Sequence, residues 1–102
     1  MPILLQAFDY TDDQALQRRM THRQQHLEIL KQNKDHKLVI LASAILNEHK
    51  NMCGSIVIFN LDTPEEVENM LREEPYLIHR VWESYTLTPI AIPPLFLVEG
   101  SE

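Results

Sequence analysis

The pattern of apolar and polar positions predicts an initial strand and then a long helix. An apolar run at residues 2–8 ends at Asp9 and a cluster of turn-forming residues, which is typical of a strand followed by a turn. The next segment, residues 12–33, has neither Gly nor Pro, so it favours a helix. Four of its apolar residues recur at helical spacing and predict the buried stripe: Leu16, Met20, Leu27 and Leu30.

Two further apolar segments predict a β-hairpin. Residues 37–46 are apolar at odd and even positions alike, as in a strand whose two faces are both covered. Residues 47–51 are polar, and residues 52–61 are again apolar, with β-branched side chains. We therefore expect helices on one side of the strand at residues 37–46 and a second layer on its other side.

The start of the second helix has the clearest local signal in the chain. Thr63 supplies an N-cap hydroxyl, a proline follows at the first helical position, and Glu66 stands three residues after the cap. We expect this helix to end before Pro75, because a proline disfavours helical geometry in the preceding residue, Glu74. Residues 81–92, with aromatic and β-branched residues between Ser and Thr, predict the last strand.

The order strand, helix, strand, strand, helix, strand predicts a ferredoxin-like α+β fold. In this βαββαβ arrangement two helices pack on one face of a four-stranded antiparallel sheet. The helices cover only one face, and the apolar residues of segment 37–46 that point to the other face favour a second copy of the chain. We therefore predict a homodimer formed through the open face of the sheet.

The chain is long enough for one domain. Its 102 residues fall in the usual range of about 100–150 for a single domain. We assign residues 1–92 to that domain and residues 93–102 to a C-terminal extension. The extension is apolar and is expected to be held extended by its prolines. It either crosses onto the partner subunit or forms a loose terminus.

Charge and cysteine content indicate which partners the protein binds and which cell compartment it occupies. The chain has 9 Lys and Arg against 15 Asp and Glu, a net charge of −6 that repels phosphate backbones and anionic membranes. No apolar run approaches the roughly 20 residues of a membrane span, and the N-terminal residues do not resemble a signal peptide. One cysteine cannot form the internal disulfides of a small secreted domain. We therefore expect a cytoplasmic protein that binds neither nucleic acid nor membranes.

The first helix carries the residues with candidate chemistry. Arg23 falls within the predicted apolar stripe, where a guanidinium needs an acidic or other acceptor group to face it. His26 borders that stripe and is either a base or a residue that closes the edge of the core by bonding a carbonyl. His22 and His26 have a spacing that can bind a metal, but Arg23 would repel the ion and no Cys or Asp completes a ligand set. We predict no metal and no cofactor.

Three short motifs, taken in order and spacing, resemble the YciI-like family. They are Arg23-Gln24-Gln25-His26-Leu27 on the first helix, Gly54-Ser55 on the third strand and Glu74-Pro75-Tyr76 after the second helix. The resemblance covers about residues 3–90 and implies a dimeric α+β barrel of ferredoxin-like fold. In that family the last motif is Asp-Pro-Tyr, and its Asp forms a catalytic pair with the His of the first motif in a small pocket.

Carried onto this sequence, the resemblance implies His26 and Glu74 as the catalytic pair, with Arg23 beside them. Glu74 stands where the family has Asp, so the carboxylate is retained and its reach and angle differ by one methylene. The family often has glycines near the second strand where this chain has His36 and Ala42-Ser43, which changes the shape of the pocket. Tyr76 is either a donor to a substrate oxygen or a packed aromatic residue.

Two hypotheses of function remain. In the first, the protein is an enzyme in which His26 and Glu74 carry out proton transfer, elimination or hydrolysis on a small organic acid or ring compound. Arg23 and Tyr76 then bind the substrate. In the second, the protein is a non-catalytic dimer that binds a small ligand or a protein partner, and the same residues form a buried polar network. The chain has no Gly-rich phosphate loop, nucleophilic Ser motif or CxxC pair, so acid–base chemistry is the main catalytic option.

Overall fold

The computed structural model describes residues 1–97, and its elements follow the predicted order with one additional helix. The remaining residues of the predicted C-terminal extension, 98–102, lie outside the described residues. The elements are β1 (Ile3–Asp9), α1 (Ala15–Asp35), β2 (Val39–Leu46), β3 (Met52–Phe59), α2 (Pro64–Leu71), α3 (Pro75–Ile78) and β4 (Trp82–Pro89).

The four strands form one antiparallel sheet in the order β2-β3-β1-β4, with the helices on one face. This arrangement confirms the predicted ferredoxin-like α+β fold. In β1, Ile3, Leu5 and Ala7 are fully buried under the helices, and Asp9 continues the same inward-facing alternation. The carboxylate of Asp9, at the end of this central strand, is therefore buried next to the apolar core.

The predicted start of the second helix is confirmed. The hydroxyl of Thr63 accepts a hydrogen bond from the backbone N–H of Glu66 at 3.3 Å, and Glu66 Oε1 accepts one from the backbone N–H of Thr63 at 3.0 Å. This reciprocal capping box satisfies two backbone donors that the helix itself cannot. The helix ends at Leu71, before Pro75, as predicted.

A short helix, α3, follows where the sequence predicted only an extended residue. Glu74 is indeed extended, with φ −77° and ψ 117°, and its carboxylate accepts the backbone N–H of Tyr76 at 2.9 Å. Pro75 then occupies the first helical position. The signal resembles that of the second helix on a smaller scale, but one turn of helix is too short to show a periodic pattern.

The predicted buried stripe of α1 is wrong for three of its four residues, and Leu30 alone of them packs against the core. Leu16, Met20 and Leu27 are 39%, 52% and 41% exposed, and the buried positions of the helix are instead Ala15, Arg19 and His26. Arg19 and His26 each have a buried carboxylate partner, so burying them leaves no charge without compensation. These two polar contacts turn the helix so that most of the predicted stripe faces outward.

The open face of the sheet, which points away from the helices, has its apolar side chains on β1, β2 and β3, whereas its β4 positions are Ser84, Thr86 and Thr88. Residues paired across neighbouring strands share a face, and Leu4 pairs with Ile58 where Leu5 pairs with Val57 on the buried face. By the same register, the apolar residues of the open face are Leu4, Phe8, Leu41, Ile45, Ile56 and Ile58. Phe8 and Leu41 are about half exposed in the single chain.

The start of the C-terminal extension differs from its predicted extended form. Pro94–Phe96 make one turn of 3-10 helix, with Pro94 at the first helical position, where its fixed φ suits the turn. Leu95 and Phe96 are 83% and 73% exposed. Within residues 1–97, the structure has no helix with the length and apolarity needed to cross a membrane.

Candidate functional site

The two residues proposed as a catalytic pair lie in direct contact. His26 projects from α1 and Glu74 from the N-cap of α3, and Nδ1 of the imidazole lies 2.6 Å from Oε2 of the carboxylate. Each residue is only 6% exposed. Because a carboxylate accepts hydrogen bonds, the contact selects the form of the ring that has a hydrogen on Nδ1, and in the neutral ring of that form the lone pair lies on Nε2.

Glu74 reaches His26 because the residues that follow it fix both its backbone and its carboxylate. The following proline keeps Glu74 extended, and the Tyr76 N–H holds the same Oε2 atom that contacts His26. The carboxylate therefore caps α3 and orients the imidazole at once. The additional methylene, compared with the family's Asp, does not prevent this contact.

Aromatic rings hold the imidazole in place. The ring of Tyr76 stacks on His26 with centroids 3.8 Å apart and planes 11° apart, and the ring of Trp82 lies at 82° to His26 with centroids 5.9 Å apart. The hydroxyl of Tyr76 is fully buried and has no hydrogen-bond partner among residues 1–97. Burial raises the pKa of Tyr76, so this hydroxyl keeps its proton and remains a donor.

Arg19 forms a buried ion pair at the site, which the apolar pattern of the sequence did not predict. Its Nε donates to Asp9 Oδ2 at 2.7 Å and its Nη2 to Asp9 Oδ1 at 3.1 Å. Nη2 also donates to the Gly54 carbonyl and to Ser55 Oγ, both at 2.8 Å. The guanidinium lies over the Tyr76 ring, 4.7 Å from its centroid. The ion pair thus joins β1, β3 and α3 beneath α1.

A signal for Arg19 is present in the sequence. Arg19 stands seven residues before His26, which is about two helical turns and therefore the same face of α1. Asp9 was interpreted only as a turn residue. Considered together, a carboxylate at the inward end of a strand and a polar face shared by Arg19 and His26 would have indicated that this face is the buried one.

Arg23 lies on the exposed surface of α1 and not within a buried stripe. Within residues 1–97 no carboxylate forms an ion pair with it, so the expectation that an acidic group faces Arg23 is wrong. The arginine that has such a partner is Arg19. Arg23 nevertheless lines the cavity next to His26, and its exposure places it at the rim.

A cavity of about 130 Å³ lies between α1 and the strands β2 and β3. It brings together His26, Arg23 and Tyr76 of the predicted site, whereas Glu74 lies behind His26 and does not line it. The polar lining residues are Arg19, Arg23, His26, Ser43, Ser55 and Tyr76, and within the described residues the lining contains no carboxylate. A chain with a net charge of −6 thus presents a cavity lined by cationic groups.

The other histidine of the helix forms a separate pair. His22 stacks on His79, which follows α3, with ring centroids 3.9 Å apart and planes 1° apart. Burial lowers the pKa of His22, and the charge on His79 lowers it further. Among residues 1–97 no group of three or more His, Cys, Asp or Glu side chains is arranged to hold a metal ion.

Comparisons with known proteins agree with this fold. The family model of the YCII-related domain matches residues 4–91. The structure is similar to that of a 5-chloro-2-hydroxyhydroquinone dehydrochlorinase from Burkholderia phenoliruptrix AC1100 in complex with 2,5-dihydroxybenzoquinone, with a TM-score of 0.76 and 20% identity over 89% of this chain and 94% of that chain.

It is also similar to a hypothetical protein from Pyrococcus horikoshii, with a TM-score of 0.50 and 11% identity over 94% of this chain and 96% of that one. At these identities the likeness is one of fold. No curated protein is significantly similar to this chain.

Proposed function

This chain belongs to the family of the YCII-related domain, and on that premise we propose that it is a small-molecule enzyme whose acid–base pair is His26 and Glu74. The observation that carries the proposal is the contact of 2.6 Å between Nδ1 and Oε2, which leaves Nε2 as the reactive nitrogen. Nε2 forms no hydrogen bond with residues 1–97. Among residues 1–97, Tyr76 Oη is the only side-chain nitrogen or oxygen that is both fully buried and without a partner. Since Nε2 has no partner, it therefore keeps some exposure.

In the proposed reaction His26 Nε2 takes a proton from the substrate and returns it to the same or another atom. Glu74 keeps the hydrogen on Nδ1 and stabilises the imidazolium that forms when Nε2 accepts a proton. Such a pair supports proton transfer, elimination or hydrolysis. In an elimination, Nε2 takes the proton from carbon, the electron pair forms the new double bond, and the leaving group departs with its electrons.

The remaining residues support an anionic substrate. Arg23 at the rim of the cavity is free of ion pairs within the described chain and attracts an acid group. Tyr76 lines the cavity and its buried hydroxyl has no partner among residues 1–97, so it can donate to a substrate oxygen once a small side-chain shift opens it to the cavity. The cavity of about 130 Å³ has the size of one six-membered ring, since a cavity of about 150 Å³ in another protein accommodates benzene. We propose a small organic acid or ring compound as substrate.

The structurally similar dehydrochlorinase is described with a hydroxylated quinone bound, which makes such compounds a reasonable class to test here. Hydrogen–deuterium exchange at carbon, followed by NMR, detects proton abstraction even if no later step occurs. We expect this protein to catalyse exchange in some members of a panel of small acids and hydroxylated ring compounds, 2,5-dihydroxybenzoquinone included. His26→Gln should lower the exchange rate by about 10²–10⁴-fold, the usual share of a general base.

His22→Gln is the matched control, because it removes an imidazole one turn away on the same helix. It should leave the exchange rate unchanged. A second candidate function, a non-catalytic ligand-binding module, is favoured by the tight packing of His26 between Tyr76 and Trp82. Ligand binding without exchange for any member of the panel would support that alternative and contradict the enzyme.

We also propose that the protein acts as a homodimer joined through the open face. Phe8 and Leu41 on this face are about half exposed in the single chain, and a second copy packed sheet to sheet would cover them. Sedimentation at micromolar concentration should give a dimer for the parent and a monomer for Leu41→Lys. Ile78→Lys, at an exposed apolar residue of α3, is the control and should stay dimeric. A monomeric parent would contradict the proposal.

The division into a domain at residues 1–92 and an extension at residues 93–102 remains a proposal as well. The exposure of Leu95 and Phe96 supports it, because these apolar side chains are not part of the core of their own chain. Deleting residues 93–102 should leave the urea midpoint of the monomeric Leu41→Lys variant unchanged. If the extension crosses onto the partner, the same deletion in the parent should weaken the dimer. A lower midpoint in the monomeric variant would contradict the division.

A further inference from the structure

Ser55 on β3 accepts two hydrogen bonds with one hydroxyl oxygen. Arg19 Nη2 lies 2.8 Å from Ser55 Oγ, and Trp82 Nε1 lies 3.0 Å from it. A guanidinium and an indole N–H can only donate, so Ser55 is the acceptor in both contacts. A hydroxyl oxygen has two lone pairs and one hydrogen, and both lone pairs are therefore occupied.

The hydrogen of the Ser55 hydroxyl consequently has a fixed direction and no acceptor among residues 1–97. With two of its tetrahedral directions taken by donors and one by its own carbon, Oγ has one direction left for the hydrogen. Ser55 is 3% exposed and lines the cavity. Accepting from a charged guanidinium polarises the hydroxyl and makes it a better donor.

The groups around Ser55 have the same donor character. Arg19 Nη1 makes no hydrogen bond within the described chain and is not fully buried, and Tyr76 Oη is buried without a partner. Arg23 adds a second guanidinium at the rim. Arg19 Nη1, Arg23 and the Ser55 hydroxyl offer only hydrogens to the cavity, so a ligand that meets them offers oxygen lone pairs. His26 Nε2 can accept a hydrogen, and Tyr76 Oη can donate or accept one.

We propose that Ser55 is a specificity-determining residue whose hydroxyl donates to a substrate oxygen that carries no hydrogen, as in an enolate, phenolate or carboxylate of a single-ring compound. This inference rests on the proposed function and names its substrate class. Because both lone pairs of Ser55 are occupied, it cannot accept from an amine or hydroxyl hydrogen at the same place. The site therefore discriminates against ligands that carry N–H or O–H there.

A pair of ligands that differ at one group tests the proposal. 4-Nitrophenolate, at a pH above the pKa of its phenol, has an oxygen without hydrogen where 4-nitroaniline has an amine, and both absorb visible light. We expect the parent protein to bind the phenolate more tightly. In Ser55→Ala, phenolate affinity should fall by about 10-fold to 100-fold, the range for a hydrogen bond to a charged group, with little change for the aniline.

Two further variants keep the test decisive if Ser55→Ala does not fold. Ser55→Thr retains the hydroxyl and should retain the phenolate preference. Trp82→Phe removes one donor and frees a lone pair of Ser55 while leaving Ser55 itself in place, and Trp82 is not part of the cavity lining. The ratio of phenolate to aniline affinity should therefore fall in Trp82→Phe because the freed lone pair can accept from the amine.

Unchanged phenolate binding in a folded Ser55→Ala, or an unchanged affinity ratio in Trp82→Phe, would overturn the role of Ser55. A parent that binds neither probe would overturn the ligand class. If the protein is not an enzyme but the role of Ser55 holds, Ser55-dependent phenolate binding persists and no member of the panel undergoes His26-dependent exchange. The two proposals can therefore fail independently of each other.

Discussion

Replacing Asp9 with Asn should destabilise the protein strongly, because it leaves the buried guanidinium of Arg19 without its counter-ion. The two side chains are only 3% and 4% exposed, and two hydrogen bonds of 2.7 Å and 3.1 Å join them. Asn keeps the shape and one acceptor oxygen but not the charge. Removing one partner of a buried ion pair costs about 3–5 kcal/mol.

A loss of this size is a large fraction of the roughly 5–15 kcal/mol that stabilises a typical domain. Urea unfolding followed by circular dichroism measures it, with the slope of the transition compared between variants to check that the denatured state is unchanged. Asp12→Asn is the matched control. It breaks an ion pair with Arg18 that lies at the surface, where such pairs contribute about 0–1 kcal/mol.

The double variant Asp9→Asn/Arg19→Met tests whether the cost of Asp9→Asn comes from the unpaired charge that it leaves on Arg19. It removes both charges, so we expect it to be more stable than Asp9→Asn alone, although two acceptors, Gly54 O and Ser55 Oγ, then lose the hydrogen bond that Arg19 donated. A cost below about 1 kcal/mol for Asp9→Asn would show instead that the buried charge of Arg19 does not depend on Asp9 for its compensation.

Three further predictions concern stability. Gly54→Ala should destabilise the sheet by at least about 1–3 kcal/mol, because a Cβ would lie 2.5 Å from the backbone oxygen of Ala7; urea unfolding measures it, and an unchanged midpoint would contradict the close approach. Thr63→Ala should cost about 0.5–2 kcal/mol through loss of the N-cap, whereas Thr63→Ser should cost little. The lowered pKa of His22 means that the folded state binds a proton less readily than the unfolded state. Stability is then full above the ordinary value of 6.5 and falls as the pH falls through the lowered pKa, and His22→Gln should flatten that part of the pH profile.

The elements that sequence predicts well are those whose cause is local. The N-terminus of α2 follows from Thr63, its proline and Glu66, which lie within four residues of one another. The strand β1 follows from the apolar run at residues 2–8 and the turn-forming residues directly after it. Such signals do not depend on contacts with distant parts of the chain. The order of elements and the ferredoxin-like fold could therefore be predicted.

The orientation of α1 could not be predicted from apolar periodicity, because its cause is not local. Arg19 is buried by a carboxylate on β1, and His26 is buried by a carboxylate at the N-cap of α3, 48 residues away. A prediction from periodicity assumes that polar side chains face solvent. Arg19 and His26, whose contacts orient α1, are instead buried. The contact between His26 and Glu74 followed from the family motifs, whereas Arg19 and its ion pair belong to no motif that the sequence analysis used.

The most direct test of the acid–base pair is the position of the hydrogen on the His26 ring, measured by ¹⁵N–¹H NMR above the pH at which histidine is protonated. We expect a hydrogen on Nδ1 and a bare Nε2 in the parent. Glu74→Leu should shift the population toward the other tautomer, because the carboxylate that selects Nδ1–H is gone. A hydrogen on Nε2 in the parent, or the same tautomer in Glu74→Leu, would show that Glu74 does not orient His26 as a base.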